Sequence, residues 1–150
     1  KTLPKDVFNY LHLNHQDGLR VVSDARVNFV SFTGSVKAGY EVQKATHTKF
    51  IDMALELGGK DPAYARYDCD LEKTVENLVD GSFFNSGQSC CGIERIYVDE
   101  NIYDKFLESF VSKTYNYNFG NPLKKETNLG PVVKLSSAEF IIVGLRNKRF

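Results

Sequence analysis

The apolar positions of this chain change period along its length, and the changes outline two strand-helix-strand passages. Residues 27 to 32, VNFVSF, alternate and are rich in β-branched and aromatic side chains, which predicts a strand. It runs into a turn at Thr33, Gly34 and Ser35, and then into a helical stretch that ends near Thr46. FIDMALEL, residues 50 to 57, is apolar and closed by Gly58 and Gly59, so it reads as a buried strand, with a short one at Pro62 to Ala65. From Asp70, an N-cap candidate, Leu71, Val75, Leu78, Val79 and Phe83 recur at helical spacing and predict about four turns toward Asn85. Ser86 and Gly87 end or bend that helix. ERIYVDE reads as a strand, and residues 101 to 116 as an amphipathic helix capped by Asn101, with Ile102, Phe106, Ser109, Phe110 and Lys113 on one face. Gly120, Asn121 and Pro122 end it, KETNLGPVV is loop-like, and Lys134 to Phe150 suits a helix interrupted by Gly144. The order β-α-β-β-α-β-α predicts an α/β fold class with a sheet at least partly parallel.

Composition narrows the classes of partner. The chain has 150 residues, enough for one domain or for pieces of two, and 19 Lys plus Arg balance 19 Asp plus Glu. No global field therefore draws it to nucleic acid or to an anionic membrane, and neither partner is expected. No run reaches the roughly 18 apolar residues of a membrane span, and KTLPKDVFNY lacks the apolar core of a signal peptide. The cysteines, Cys69, Cys90 and Cys91, are odd in number, and two are neighbours that could pair only through a strained vicinal bridge. Free thiols are the expectation, in a reducing compartment such as the cytoplasm, or the mitochondrial matrix of a eukaryote.

Three segments could carry chemistry. Phe32-Thr33-Gly34-Ser35 places a glycine turn at the start of a helix, where outward N–H groups and the Ser35 hydroxyl would suit a phosphate; an ordinary N-cap is the plainer alternative. The pattern G-x-x-x-x-G-K-[ST] fails here, because Tyr40 and Glu41 follow Gly39. Leu55-Glu56-Leu57-Gly58-Gly59-Lys60 puts a carboxylate at the end of an apolar strand, where α/β sheets place ligands. Burial beside Leu55 and Leu57 would raise its pKa toward that of a general base, whereas an edge glutamate would face solvent. The glycines would let a ligand or another backbone come close. Phe83-Phe84-Asn85-Ser86-Gly87-Gln88-Ser89-Cys90-Cys91-Gly92 breaks a helix and presents a thiol among small and polar neighbours, as a nucleophile requires, although a bare Cys-Cys pair is more often packing than catalysis. No metal is expected: there is no C-x-x-C, and His12, His15 and His47 lack the H-E-x-x-H spacing.

Taken in order, FTGS, LELGGKDP and FFNSGQSCCGIERIYV resemble the signature segments of the NAD(P)-dependent aldehyde dehydrogenase superfamily. LPKDVFNYLH, DLEKTVENLVDGSFFNSG and NPLKKETNLGPVV resemble its flanking stretches, so the likeness covers nearly the whole chain. It implies that Cys90 is the nucleophile and Glu56 the base that activates water, and that Gly34, Ser35 and Leu57 contact NAD or NADP. The implied reaction oxidises a small aldehyde to a carboxylic acid through a thiohemiacetal and a thioester on Cys90. The fold implied is the end of a Rossmann-like cofactor domain, residues 1–57, joined to the start of an α/β catalytic domain, residues 58–150. Members are longer than this and add an upstream P-W-N segment, a K-P segment and a downstream E-x-F-G-P segment. The resemblance therefore implies an internal fragment of a homo-oligomeric enzyme, with little or no turnover alone. Nicotinamide-independent thiol esterase or acyltransferase chemistry is the alternative.

Overall fold

The computed structural model describes residues 4–146, which divide between Gly58 and Gly59 into two compact units. Each contains one parallel pair of strands joined through a helix.

In the first unit, helix α1 (His15–Ser23) opens at Asn14, whose side chain accepts the Asp17 N–H at 2.9 Å and donates to the Asp17 carboxylate at 2.7 Å. This helix is absent from the sequence expectation, although Asn14 is a residue type that favours the N-cap. Strand β1 (Phe29–Thr33), helix α2 (Val36–Thr46) and strand β2 (Asp52–Glu56) follow. The strands pair in parallel from Phe29 opposite Asp52 to Thr33 opposite Glu56. Val30 and Val42 are buried, whereas the odd-numbered face of β1 and the even-numbered face of β2 are exposed. The strand within FIDMALEL is thus covered on one face only, and Phe50, ahead of β2, is fully exposed. Lys49 Nζ donates to the Val22 and Asp24 carbonyls at 2.6 and 2.8 Å, which secures the C-terminal end of α1.

The second unit contains strand β3 (Asp61–Ala65), helix α3 (Leu71–Phe83), strand β4 (Ile93–Val98), helix α4 (Tyr103–Thr114) and helix α5 (Leu135–Arg146). Strands β3 and β4 pair in parallel, with an irregularity between Asp61 and Pro62. Pro62 brings no N–H to a ladder, so it is tolerated beside this irregularity. Asp70 caps α3 by accepting the Lys73 N–H at 3.2 Å, as its sequence position predicts. The helical spacing also found the core: Val75, Leu78 and Val79 are buried with Ala65 and Phe106. Helix α3 ends at Phe83, two residues short of the predicted Asn85. Helix α5 passes through Gly144 without a break, and the part of the predicted helix beyond Arg146 lies outside the described residues.

Asn101 is not the cap the sequence suggested. Its N–H and side-chain amide both donate to Asp99 Oδ1, at 3.0 and 2.8 Å, and a 3-10 turn at Glu100–Ile102 leads into α4. Donation first from the Asn101 backbone, then from its side chain and from Tyr64, holds the Asp99 carboxyl below its ordinary value of 3.8. A carboxyl with a depressed folded-state pKa stabilises the fold above its unfolded value and loses that contribution as pH falls through the folded value. Asp99→Ala is therefore expected to lower the urea midpoint at about pH 7, with the difference from wild type narrowing as pH falls below the ordinary carboxyl value of about 3.9. An unchanged gap across that range would show that the cap does not depend on charge.

Candidate functional site

The sequence-predicted residues of the first unit converge at the C-terminal ends of β1 and β2. Thr33 lies opposite Glu56, and the Gly34 N–H donates to the Glu56 carbonyl at 3.0 Å, extending the ladder one step beyond the strand. That bond corrects one expectation, since the Gly34 N–H closes the sheet instead of facing outward. A Cβ on Gly34 would lie 2.6 Å from the ring of Phe32, so the space above this glycine is taken by its own strand. Ser35 caps α2 by accepting the Ala38 N–H on Oγ at 3.2 Å. Its hydroxyl proton remains available to an acceptor. No acidic residue stands in the first turn of α2, where Lys37 adds positive charge to the positive end of the helix. This donor set fits an anion such as a dinucleotide pyrophosphate.

Glu56 is exposed, on the face it shares with Asp52 and Ala54, while Leu55 and Leu57 on either side are half-buried. Burial beside those leucines, one of the two sequence readings, is thus not what the strand provides, because adjacent side chains point to opposite faces. Leu57 packs on α2 at Gly39, where an added Cβ would come within 2.8 Å of the leucine Cδ2.

In the second unit, the chain leaves α3 through Phe84–Gly87, where Asn85, Ser86 and Gly87 have φ of 49°, 59° and 73°. Three consecutive residues on the left-handed side reverse the chain within one turn. Asparagine and glycine tolerate this conformation, and serine must be held in it. After the turn come the half-buried Gln88 and Ser89, the exposed Cys90 and Cys91, and the buried Gly92 that leads into β4. Cys90 and Cys91 are both exposed, and Cys69 is half-buried. Cys91 Sγ lies 3.3 Å from the Ser89 hydroxyl. The Cys90 carbonyl oxygen lies 2.7 Å from where a Cβ on Gly59 would stand, so the second glycine of the Leu-Gly-Gly-Lys run is what this backbone comes close to. Sequence reasoning expected such an approach without identifying what approached. It missed the bonds from Ser86 Oγ to the Gly130 carbonyl and from the Val133 N–H to Gln88 Oε1, since those partners are more than 40 residues away.

Two surface depressions lie elsewhere in this unit. One is lined by Glu76, Asp80, Lys113 and Tyr117, the other by Lys60, Pro62, Glu94 and Tyr97, and neither includes Cys90. Neither depression is lined by a cysteine. No His, Cys, Asp or Glu cluster among the described residues has the makings of a metal site, and no helix among them is long and apolar enough to cross a membrane.

Comparison with known proteins decides the family. The sequence profile of the aldehyde dehydrogenase family matches residues 1–144. The chain belongs to the aldehyde dehydrogenase family. Lactaldehyde dehydrogenase of Methanocaldococcus jannaschii is 42% identical over 140 residues, covering 93% of this chain and 30% of that protein. The crystal structure of glyceraldehyde-3-phosphate dehydrogenase from Methanocaldococcus jannaschii, complexed with NADP, matches with a TM-score of 0.81 and 42% identity over 86% of this chain and 28% of that one. Lactaldehyde dehydrogenase from Escherichia coli gives a TM-score of 0.78 and 36% identity over 81% of this chain and 26% of its own. The chain therefore spans about 30% of the length of the aldehyde dehydrogenases it matches. Its two parallel βαβ passages are the α/β fold of that family.

Proposed function

We propose that this chain carries the nucleophile of an NAD(P)-dependent aldehyde dehydrogenase, and that Cys90 is that nucleophile. The observation that supports this most is the exposure of Cys90 on a loop that Gly59 admits from one side and a left-handed turn delivers from the other. The Cys90 thiolate bonds to the carbon of a small aldehyde, and in this reading its own backbone N–H donates to the oxygen that becomes negative. Bound nicotinamide supplies the acceptor for the hydride that leaves that carbon. Glu56 takes a proton from water as the water oxygen bonds to the thioester carbon, and the carbon-sulfur bond then breaks to release the acid and the thiol. Solvent exposure of Glu56 suits a base that must exchange its proton with water.

NAD or NADP is held, in this reading, by Ser35 and the first turn of α2 at its pyrophosphate, with Gly34 beside them and Leu57 near the nicotinamide. Residues 1–57 belong to the cofactor domain and 58–150 to the catalytic domain of a homo-oligomeric enzyme.

The test is peptide mapping of iodoacetamide labelling on the chain, with and without NAD(P) and an aldehyde. Cys90 is expected to react faster than Cys69 and Cys91, at a rate that the cofactor changes. Equal labelling of all three cysteines overturns the assignment, and selective labelling indifferent to cofactor favours thiol ester chemistry without nicotinamide.

A further inference from the structure

The cysteine loop is tied to a distant stretch of chain by two side chains that the reaction above leaves without a role. Ser86 Oγ donates to the Gly130 carbonyl at 2.7 Å, and Gln88 Oε1 accepts the Val133 N–H at 2.8 Å. On its other side the Gln88 carboxamide donates through Nε2 to the Asn85 carbonyl at 2.9 Å, and Asn85 Nδ2 donates back to the Gln88 carbonyl at 3.1 Å. The strap formed by residues 130 to 133 is anchored just before it starts, where Leu129 bridges Phe119 and its carbonyl accepts the Gly120 N–H at 3.1 Å. Gln88 therefore has its acceptor on the strap and its donor on the left-handed turn, two residues before Cys90.

We infer that Gln88 is a positioning residue for Cys90: its carboxamide seats the strap against the turn, and that seating holds the thiol loop in one arrangement. The inference rests on the reading of Cys90 as the nucleophile. A serine at positive φ persists only where its surroundings hold it, and here the Asn85 carbonyl accepts twice, from the Gln88 N–H at 3.1 Å and from its side chain. Only a side chain with a donor and an acceptor on one planar group makes both bonds. Leucine makes neither, and glutamate keeps the acceptor for Val133 while turning a carboxylate oxygen toward the Asn85 carbonyl. Proline at position 133 removes the donor from the strap and leaves Gln88 intact.

The experiment compares iodoacetamide rates at Cys90 and Cys69 within the same full chain for wild type, Gln88→Leu, Gln88→Glu, Val133→Pro and the Leu/Pro double variant. The ratio of Cys90 to Cys69 is expected to fall about fivefold in Gln88→Leu and in Val133→Pro. It should fall less in Gln88→Glu, and no further in the double variant than in either single one, because all act through one contact. General loosening of the fold raises the Cys69 rate in every variant and is recognised by that. Should Gln88→Leu fail to fold, Gln88→Glu and Val133→Pro still carry the comparison. A ratio unchanged in the folded variants, or additive losses in the double variant, overturns the inference. A wild-type Cys90 no faster than Cys69 and Cys91 would instead overturn the nucleophile assignment, so the two failures are separable.

Discussion

Alanine at Gly59 is expected to slow alkylation of Cys90 by about tenfold or more, while alanine at Gly58 leaves it within about twofold. The two glycines are adjacent and neither has positive φ, so both backbones accept an L-residue and the difference between the variants is steric. At Gly58 a new Cβ meets nothing within 4 Å. At Gly59 it would stand 2.7 Å from the Cys90 carbonyl oxygen and 3.0 Å from Asp61 Oδ1. The aspartate can swing away and the carbonyl cannot. It belongs to a short loop fixed on one side by the bonds between Asn85 and Gln88 and on the other by the Gly92 N–H, which donates to the Ser89 carbonyl at 3.2 Å. Overpacking of this kind costs about 1–3 kcal/mol, and about 1.4 kcal/mol is a factor of ten in rate when it is felt at the reacting atom. Equal rates in the two variants, measured at Cys90 by peptide mapping, would remove Gly59 from any account of how the thiol is placed.

That contrast also marks how far the sequence could be read. The glycine pair was legible as a place of close approach, and the helix at Leu71–Phe83 as the one that buries Val75, Leu78 and Val79, because both are properties of a few neighbouring residues. Strand pairing in parallel was legible from the alternation of element types. The identity of the group that approaches Gly59 was not, since it is a carbonyl 31 positions further along. Nor were the bonds from Ser86 and Gln88 to Gly130 and Val133, which local pattern cannot reach. Glu56 is a different case. Its sequence left burial and a solvent-facing edge both open, and alternation along β2 turns the leucines to the opposite face and leaves the carboxylate exposed. Asp99 and Asn101 show a third, in which both are good capping residues two positions apart and only the geometry shows which accepts. The Ser35 hydroxyl lies between these cases: it serves as a cap, as expected of any serine at that place, and the same geometry leaves its proton free for a phosphate.

Phe106→Ala is expected to destabilise the second unit by about 3–5 kcal/mol, enough to leave much of it unfolded at room temperature. Phe106 is 5% exposed, and its ring stacks on Phe110 with centroids 5.7 Å apart. It joins Ala65, Val75, Leu78 and Val79 in the core, and of these it is the only aromatic residue. A small core has little capacity to fill the space a phenyl ring leaves, since aliphatic side chains held on α3 and β3 cannot shift without moving those elements. Small domains also start near the low end of about 5–15 kcal/mol, so a loss of this size takes most of what is available. The effect should reach the cysteine loop, because α3 supplies its entrance and β4 its exit. In Phe106→Ala the iodoacetamide rates of Cys69, Cys90 and Cys91 are therefore expected to converge, together with a loss of helical circular dichroism and a lower urea midpoint. Phe140→Ala on α5, where the ring is 73% exposed, should change neither. If Phe106→Ala kept the wild-type unfolding free energy to within about 1 kcal/mol, the cluster around Val75 would not be what supports the loop. A Cys90 found faster than Cys69 and Cys91 would then owe its rate to the loop's own bonds, through Asn85, Ser86 and Gln88.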